Sequence, residues 1–114
     1  MGQLTTHILD TSAGVPASGV AINLYRRDGT NSVHLKSIKT NLDGRCDSPL
    51  LSEEEFDVGC YELEFIVDDY YEAKNIKCPF LKDVIIRFYI SEKSENYHVP
   101  LLISPYSYST YRGS

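Results

Sequence analysis

Short segments in which apolar and polar residues alternate constrain the fold of this chain more than any other feature. Tyr61, Leu63 and Phe65, for example, alternate with Glu62 and Glu64, and a period of two is typical of a strand with one buried face. Further strands are predicted at residues 4–10, 20–26, 33–40, 84–91, 97–104 and 106–111, of which 84–91 is dense in isoleucine and aromatic residues and is typical of a buried strand. Seven or eight short strands at this spacing predict a β-sandwich or a β-barrel.

The amino-acid composition supports an all-β domain. The chain contains nine tyrosines and nine isoleucines but only four alanines, and β-branched and aromatic side chains favour strands whereas alanine favours helices. Asp28-Gly29 separates two of the predicted strands and is typical of a hairpin turn. A chain of 114 residues is long enough for one compact domain, which we expect to cover residues 1–114.

Two local features interrupt the all-β pattern. Residues 68–75 are the one good candidate for a helix, because Asp68 is suited to cap its N-terminus and Cys78-Pro79 follows as a stop. Pro100 lies inside a predicted strand. Since proline has no backbone N–H, we expect either a bulge or a sheet edge at that position.

Charge and cysteine content limit the possible partners and the compartment. A net charge of −5 and a pI near 5.1 argue against a nucleic-acid-binding protein. No apolar run approaches the roughly 20 residues that span a bilayer, and no secretory signal is recognisable. Cys46, Cys60 and Cys78 lack Cys-x-x-Cys spacing, which is typical of free thiols in a reducing compartment. We therefore expect a cytoplasmic protein with neither nucleic-acid nor membrane partners.

The residue pattern by itself does not single out a reaction. The sequence signatures of serine hydrolases, phosphate-binding loops and zinc sites are absent. His7, His34 and His98 are candidates for acid–base chemistry, but a lone histidine on a strand is more often structural or exposed. Arg45 follows an Asp-Gly turn, where an arginine is usually solvated, and Cys46 beside it is a weak candidate for a reactive thiolate.

Both ends of the chain carry motifs that resemble the transthyretin superfamily. They are His7-Ile-Leu-Asp10, Gly14-x-Pro16-Ala17 and Val20-x-Ile22 near the N-terminus, and the segment from His98-Val-Pro-Leu-Leu to Tyr-Arg-Gly-Ser114 at the other end. The strand segments between them follow the same order, so the resemblance covers essentially the whole chain. It implies a transthyretin-like β-sandwich of two antiparallel sheets with one short helix. Ile103 replaces the usual leucine before Ser-Pro, which is a volume-conserving change.

Four positions separate the two branches of this superfamily, one of which carries thyroid hormone while the other hydrolyses 5-hydroxyisourate. The hydrolase branch has histidine instead of lysine before Ile-Leu-Asp, arginine after Asp-Gly, histidine in Tyr-His-x-Pro, and a terminal Tyr-Arg-Gly-Ser. This sequence has all four, as His7, Arg45, His98 and residues 111–114. The resemblance therefore implies opening of a cyclic amide ring in urate breakdown, and the alternative is a non-catalytic carrier of a small ligand.

The resemblance also implies a catalytic role for three internal side chains. His7 and His98 are expected to titrate as a coupled pair that provides the acid and the base, with the division between them left open. Arg45 is expected to hold an anionic oxopurine or a developing oxyanion through its planar fork of donors. His7 and Arg45 are expected to contact the substrate as well.

The terminal residues are expected to complete the site. Ser114 is assigned to the catalytic set, since its hydroxyl and α-carboxylate would line the pocket and orient an imidazole or the attacking water. Tyr111, Arg112 and Gly113 are expected to bind substrate with it, and glycine allows a sharp turn and close approach. Tyr111 and Arg112 are equally suited to anchoring the terminal strand.

The resemblance further implies an assembly and the absence of a cofactor. The site of the family lies where subunits meet in the central channel of a homotetramer and takes a small oxopurine-derived substrate without metal or organic cofactor. Tyr106 and Tyr108 are expected to pack in the core or at an interface. His34 matches no family site and is expected to be exposed.

Overall fold

A computed structural model describes residues 1–114. Nine strands form two β-sheets, and one α-helix packs beside them. The elements are β1 (Gln3–Asp10), β2 (Val15–Pro16), β3 (Ala21–Asp28), β4 (Asn31–Lys39), β5 (Leu51–Ser52), β6 (Gly59–Ile66), α1 (Val67–Ala73), β7 (Asp83–Ile90), β8 (Tyr97–Ile103) and β9 (Tyr108–Thr110), with a 3-10 turn at Glu53–Glu55. Sheet A has the order β2-β1-β8-β9, with β5 also paired to β1, and sheet B has the order β4-β3-β6-β7.

The two sheets enclose one apolar core. Twenty-one buried apolar residues from both sheets form a single cluster, to which β1 contributes Leu4 and Ile8, β3 contributes Leu24 and β6 contributes Leu63. Burial alternates along these strands as the sequence pattern predicts, because removal of every second side chain from water stabilises the sandwich. The predicted all-β sandwich is confirmed. Its strands pair antiparallel except β1 and β8, which run parallel.

The helix lies where the sequence predicts it, but its ends differ from the prediction. The helix α1 begins at Val67, and Ile66 occupies the cap position without a side-chain hydrogen bond. Asp68 lies inside the first turn, so the prediction that it caps the helix is wrong. The strand β6 ends at Ile66 and passes directly into the helix, which leaves no turn residue to act as a cap. The helix ends at Ala73, well before Cys78-Pro79.

Two tyrosines fix the helix against sheet A. The hydroxyls of Tyr70 and Tyr71 each donate a hydrogen bond of 2.9 Å to the fully buried carboxylate of Asp10. Burial alone would raise the pKa of Asp10, but hydrogen bonds from Ser12, Tyr71 and Tyr70 outweigh it and hold that pKa below its ordinary value. Asp10 is therefore an ionised structural anchor on the buried face of β1.

Pro100 lies in the interior of sheet A, so the prediction of a sheet edge is wrong. β8 pairs with β1 on one side and with β9 on the other. Leu101 pairs with Thr110, and beyond Pro100 the same register resumes at a bridge between His98 and Gly113. The unchanged register rules out the alternative prediction of a bulge. The proline instead falls in a gap of the ladder, where its missing N–H is not needed.

The last tyrosines of the chain do not enter the core. Tyr106 and Tyr108 are 63% and 46% exposed, so core packing is excluded for both and their packing at an interface stays a prediction.

The seven-residue α-helix is the longest helix, and no helix here has the length and apolarity to cross a membrane.

Candidate active site

The parallel pair of β1 and β8 brings two histidines from opposite ends of the sequence onto one face of sheet A. In the register of this pair, Thr5 lies opposite His98 and His7 lies opposite Pro100. Neighbouring residues in both strands face the core, so Thr5, His7 and His98 lie half-buried on the outer face.

A loop held by Asn41 places Arg45 beside His7. The side-chain oxygen of Asn41 accepts hydrogen bonds from the backbone N–H groups of Asp43 (2.9 Å) and Arg45 (3.1 Å), and its backbone N–H donates to the carbonyl of Arg45 (2.7 Å). The backbone of Arg45 in turn forms an isolated antiparallel bridge with His7. This asparagine-stapled loop is a local structure, typical of an Asn-x-Asp-Gly sequence.

The glycine of this loop is needed for the close approach to β1. Gly44 has a φ of 73°, a left-handed conformation that favours glycine. Its carbonyl accepts a hydrogen bond of 2.9 Å from the N–H of Ile8, and a Cβ on residue 44 would lie 2.5 Å from the carbonyl oxygen of Ile8. A larger residue would push the loop, and Arg45 with it, away from β1.

His7 is held by a backbone carbonyl of the same loop. Its Nε2 lies 3.0 Å from the carbonyl oxygen of Asp43. Because a carbonyl can only accept, Nε2 must carry the hydrogen in this contact. Neutral His7 is therefore the Nε2–H tautomer, with Nδ1 as the nitrogen that has a free electron pair.

His98 is the histidine whose pKa its surroundings lower. Its Nδ1 lies 2.9 Å from the hydroxyl of Thr5. Burial, followed by the positive charges of Arg45 and His7, lowers the pKa of His98 below 6.5. His98 is consequently neutral at pH 7. Since the charges of Arg45 and His7 both act on its pKa, the three side chains interact electrostatically.

Arg45 is the one arginine of the chain whose guanidinium makes no hydrogen bond or ion pair. The other four each bond through the guanidinium to a neighbouring group; they are Arg26, Arg27, Arg87 and Arg112. Arg45 is anchored only through its backbone and borders a cleft of about 250 Å³ that Thr5 also lines. Its donors are therefore available to an anionic ligand.

The C-terminal segment lies against His98. Gly113 and His98 exchange two backbone hydrogen bonds, of 2.7 and 3.3 Å. A Cβ on residue 113 would lie 3.0 Å from both Cβ and Cδ2 of the histidine. The expected sharp turn at Gly113 is not found, since its φ is not left-handed. Glycine is instead needed because the His98 side chain packs directly on its backbone.

The other terminal residues lie in different surroundings. Ser114 follows Gly113 directly and is exposed. The Arg112 guanidinium contacts Glu95 (2.9 Å) and the carbonyl of Asn96 (3.1 Å), and it lies 4.5 Å above the Tyr97 ring. These contacts suit the alternative role of an anchor for the terminal strand. Tyr111 is 62% exposed.

Three residues of this site were not predicted from the sequence. They are Thr5, Asn41 and Asp43, which contact the imidazoles or hold the loop. The Asn-x-Asp-Gly pattern was a usable signal for the loop, whereas nothing local marks Thr5. His34 lies exposed on β4, as expected. Burial, followed by the charge of Asp47, raises the pKa of Cys46, which argues against the reactive thiolate considered from the sequence.

The fold and the site together define a transthyretin-like sandwich with two imidazoles and a free guanidinium on one face, a set suited to acid–base hydrolysis without a covalent nucleophile. The sequence profile of the HIUase/Transthyretin family matches residues 4–113. The chain belongs to this family, which confirms the resemblance.

Relatives named 5-hydroxyisourate hydrolase match the chain over nearly its whole length. The protein from Mesorhizobium japonicum is 56% identical, over 99% of this chain and 93% of its own. The protein from Mus musculus is 41% identical, over 97% of this chain and 94% of its own.

Solved structures share the fold. Klebsiella pneumoniae 5-hydroxyisourate hydrolase superimposes with a TM-score of 0.84 at 36% identity, over the full length of both chains. Sea bream transthyretin in complex with thyroxine gives 0.90 at 27% identity, over 97% of this chain and 94% of its own. An (S)-allantoin synthase gives 0.93 at 42% identity, and the chain spans 44% of that longer protein.

Proposed function

We propose that this chain hydrolyses 5-hydroxyisourate to 2-oxo-4-hydroxy-4-carboxy-5-ureidoimidazoline, a cyclic amide ring opening in urate degradation. The observation that carries the proposal is the unpaired guanidinium of Arg45, whose backbone bridges to His7 and whose charge acts on a neutral His98. The names of the relatives from Mesorhizobium japonicum and Mus musculus support the same substrate.

His98 is the base in this proposal. A water molecule attacks the amide carbon while neutral His98 takes one of its protons. Arg45 stabilises the negative charge that develops on the carbonyl oxygen. The carbon–nitrogen bond then breaks, and the His98 imidazolium returns the proton to the leaving nitrogen. His7 accepts a hydrogen bond through its free Nδ1 and so helps to hold the water or the substrate. These steps use no metal or organic cofactor.

The C-terminus contributes through its contact with His98. The backbone hydrogen bonds between Gly113 and His98 support a role for Ser114 in orienting the imidazole or the water. Gly113 and Ser114 are therefore kept in the proposed site. Tyr111 and Arg112 stay predictions as substrate contacts, and the bonds of Arg112 to Glu95 support the anchor role instead.

The family implies a small-molecule substrate and an oligomeric assembly. We propose a homotetramer with the site facing the channel between subunits, which is supported by a half-buried site on an outer sheet face and by exposed tyrosines near the C-terminus. The three free cysteines support a cytoplasmic location. We propose that residues 1–114 act as one domain.

The alternative is a carrier that uses the same channel without turnover. Its support is the similarity to sea bream transthyretin in complex with thyroxine. The sequence identity to sea bream transthyretin is 27%, against 56% to the hydrolase from Mesorhizobium japonicum. The presence of His7, Arg45 and His98 also favours the enzyme.

The deciding experiment adds the purified protein to urate and urate oxidase. The near-ultraviolet absorbance of the intermediate should decay faster with the protein than in buffer. The His98→Asn variant is the matched control, since it keeps the channel and loses the proposed base. A folded protein that gives no acceleration removes the hydrolase and leaves the carrier.

A further inference from the structure

Thr5 makes the one hydrogen bond of the His98 ring within the chain. Its hydroxyl lies 2.9 Å from Nδ1, and neither group has another side-chain partner. The contact follows from the sheet, because Thr5 and His98 are directly opposite in the parallel pair of β1 and β8. The position of the hydroxyl is therefore set by backbone pairing rather than by a flexible side chain.

We propose that Thr5 is a positioning residue that accepts a hydrogen bond from Nδ1–H of His98 and so leaves Nε2 free to take the proton from water. This inference rests on the proposed function, with His98 as the base. A threonine hydroxyl can accept one hydrogen bond while donating another. Thr5 lines the cleft beside Arg45, where its own hydrogen can be donated to water.

The proton balance is consistent with this assignment. His98 takes a proton from water at Nε2 and becomes an imidazolium, with the Nδ1–H bond to Thr5 intact in both states. The same proton leaves from Nε2 to the leaving nitrogen. The bond to the hydroxyl thus keeps the ring in one orientation through the whole cycle.

The two imidazoles are held by different kinds of acceptor. The acceptor for His7 is the backbone carbonyl of Asp43, which no side-chain substitution removes. The acceptor for His98 is a side chain, so its contribution can be deleted with little change in shape. Valine has nearly the same volume as threonine and fits a strand.

The first test compares Thr5→Val, Thr5→Ser and Thr11→Val. Thr5→Val should lower kcat about ten-fold or more with little change in KM, since misplacing a catalytic group can cost up to about a hundred-fold. Thr5→Ser keeps the hydroxyl and should restore most of the rate. Thr11→Val is the matched control: the Thr11 hydroxyl donates to the carbonyl of Ile103 (2.9 Å) at the far end of β1 and touches no histidine. Wild-type kcat in Thr5→Val overturns the proposal.

The second test reads the tautomer without substrate. In ¹⁵N spectra of the wild-type protein at neutral pH, His98 should carry its hydrogen on Nδ1, and this preference should weaken in Thr5→Val. Exposed His34 serves as the reference ring. Hydrogen on Nε2 of wild-type His98 overturns the assignment. A wild-type protein without hydrolase activity would instead refute the proposed function, and the spectra would still decide the role of Thr5.

Discussion

Both sheets carry polar side chains on their outer faces, but the charged groups are paired with one another on sheet B and unpaired on sheet A. On sheet B, Glu62 accepts hydrogen bonds from Arg87 (3.0 Å) and Ser32 (3.1 Å). Glu64 next to it accepts from Asn23 and Tyr25. Acids and donors on this face therefore satisfy one another.

The outer face of sheet A lacks such compensation. Arg45 has no acid opposite it, and the ring of each neighbouring imidazole makes a single hydrogen bond within the chain. Because the charges and donors are left unpaired, this face keeps binding capacity for a ligand, whereas the sheet B face is a closed structural cluster. The comparison indicates that unpaired polar groups, rather than polar groups as such, distinguish a candidate site from a solvated surface.

The pKa directions reflect the same difference. Burial would raise the pKa of Glu62, but hydrogen bonds from Arg87 and Ser32 and nearby arginines lower it, so its charged form is stabilised. In His98 the neutral form is stabilised, by burial and by the charges of Arg45 and His7. A neutral imidazole at pH 7 can act as a base.

The largest expected effect separates the histidines of the two sheets. His98→Asn removes the proposed base and should lower kcat by roughly a hundred-fold or more, the usual scale for loss of a positioned acid or base. His7→Asn removes the imidazole that helps to hold the water or the substrate, and misplacement of the reacting groups should lower kcat by roughly a hundred-fold as well. His34→Asn is the control, because His34 is exposed on sheet B and bonds only to Ser37. The absorbance assay measures the turnover of each variant, and the oligomer mass shows whether its assembly is intact. Wild-type turnover in either site variant would show that the histidine is structural.

The next effect concerns the C-terminal contact with His98. Deletion of Gly113 and Ser114 should reduce turnover about ten-fold or more, because it removes the segment that orients the imidazole. Stability should fall by no more than about 2 kcal/mol, since the two residues bury little apolar area and the two lost backbone hydrogen bonds contribute about 1 kcal/mol each. Turnover and melting temperature are measured together. A truncated protein that keeps its assembly and the native rate would exclude the terminus from the site.

A smaller effect contrasts two arginines. Arg45→Lys keeps the charge but loses the planar fork, so kcat/KM should fall about ten-fold, with KM raised, corresponding to about 1.4 kcal/mol. Arg87→Lys, on the paired face, should leave both constants unchanged. An unchanged KM in Arg45→Lys would count against Arg45 as a substrate clamp.

The smallest effect is a shift in titration. Arg45→Gln removes a positive charge near His98. Removal of this charge stabilises the imidazolium, so the pKa of His98 should rise towards 6.5. A smaller fraction of His98 would then be neutral in mildly acidic solution. Arg87→Gln should leave this pKa unchanged. Titration of the His98 ring by NMR measures both, and an equal response in the two variants would contradict the contrast between the faces.

The sequence by itself determined which residues face the core and which face outward. Alternation is a local property of a strand, so Tyr61, Leu63 and Phe65 could be assigned to one buried face without knowledge of any partner. The family motifs also singled out the side chains that are proposed to be chemically active. The helix cap failed as a local prediction because the passage from β6 into the helix at Ile66 left no turn residue.

Tertiary structure decided how these residues meet. The parallel pairing of β1 with β8 joins segments at opposite ends of the chain, and no local pattern encodes such a pairing because it depends on burial of the whole core. That pairing puts Thr5 against His98, and the Asn41 loop puts Arg45 beside His7. In this position the Arg45 guanidinium has no acidic side chain to pair with. His7, Arg45 and His98 were readable from the sequence as candidates, whereas the part of Thr5 and the distances, tautomers and unpaired charge of the candidate site exist only once the sheets have formed.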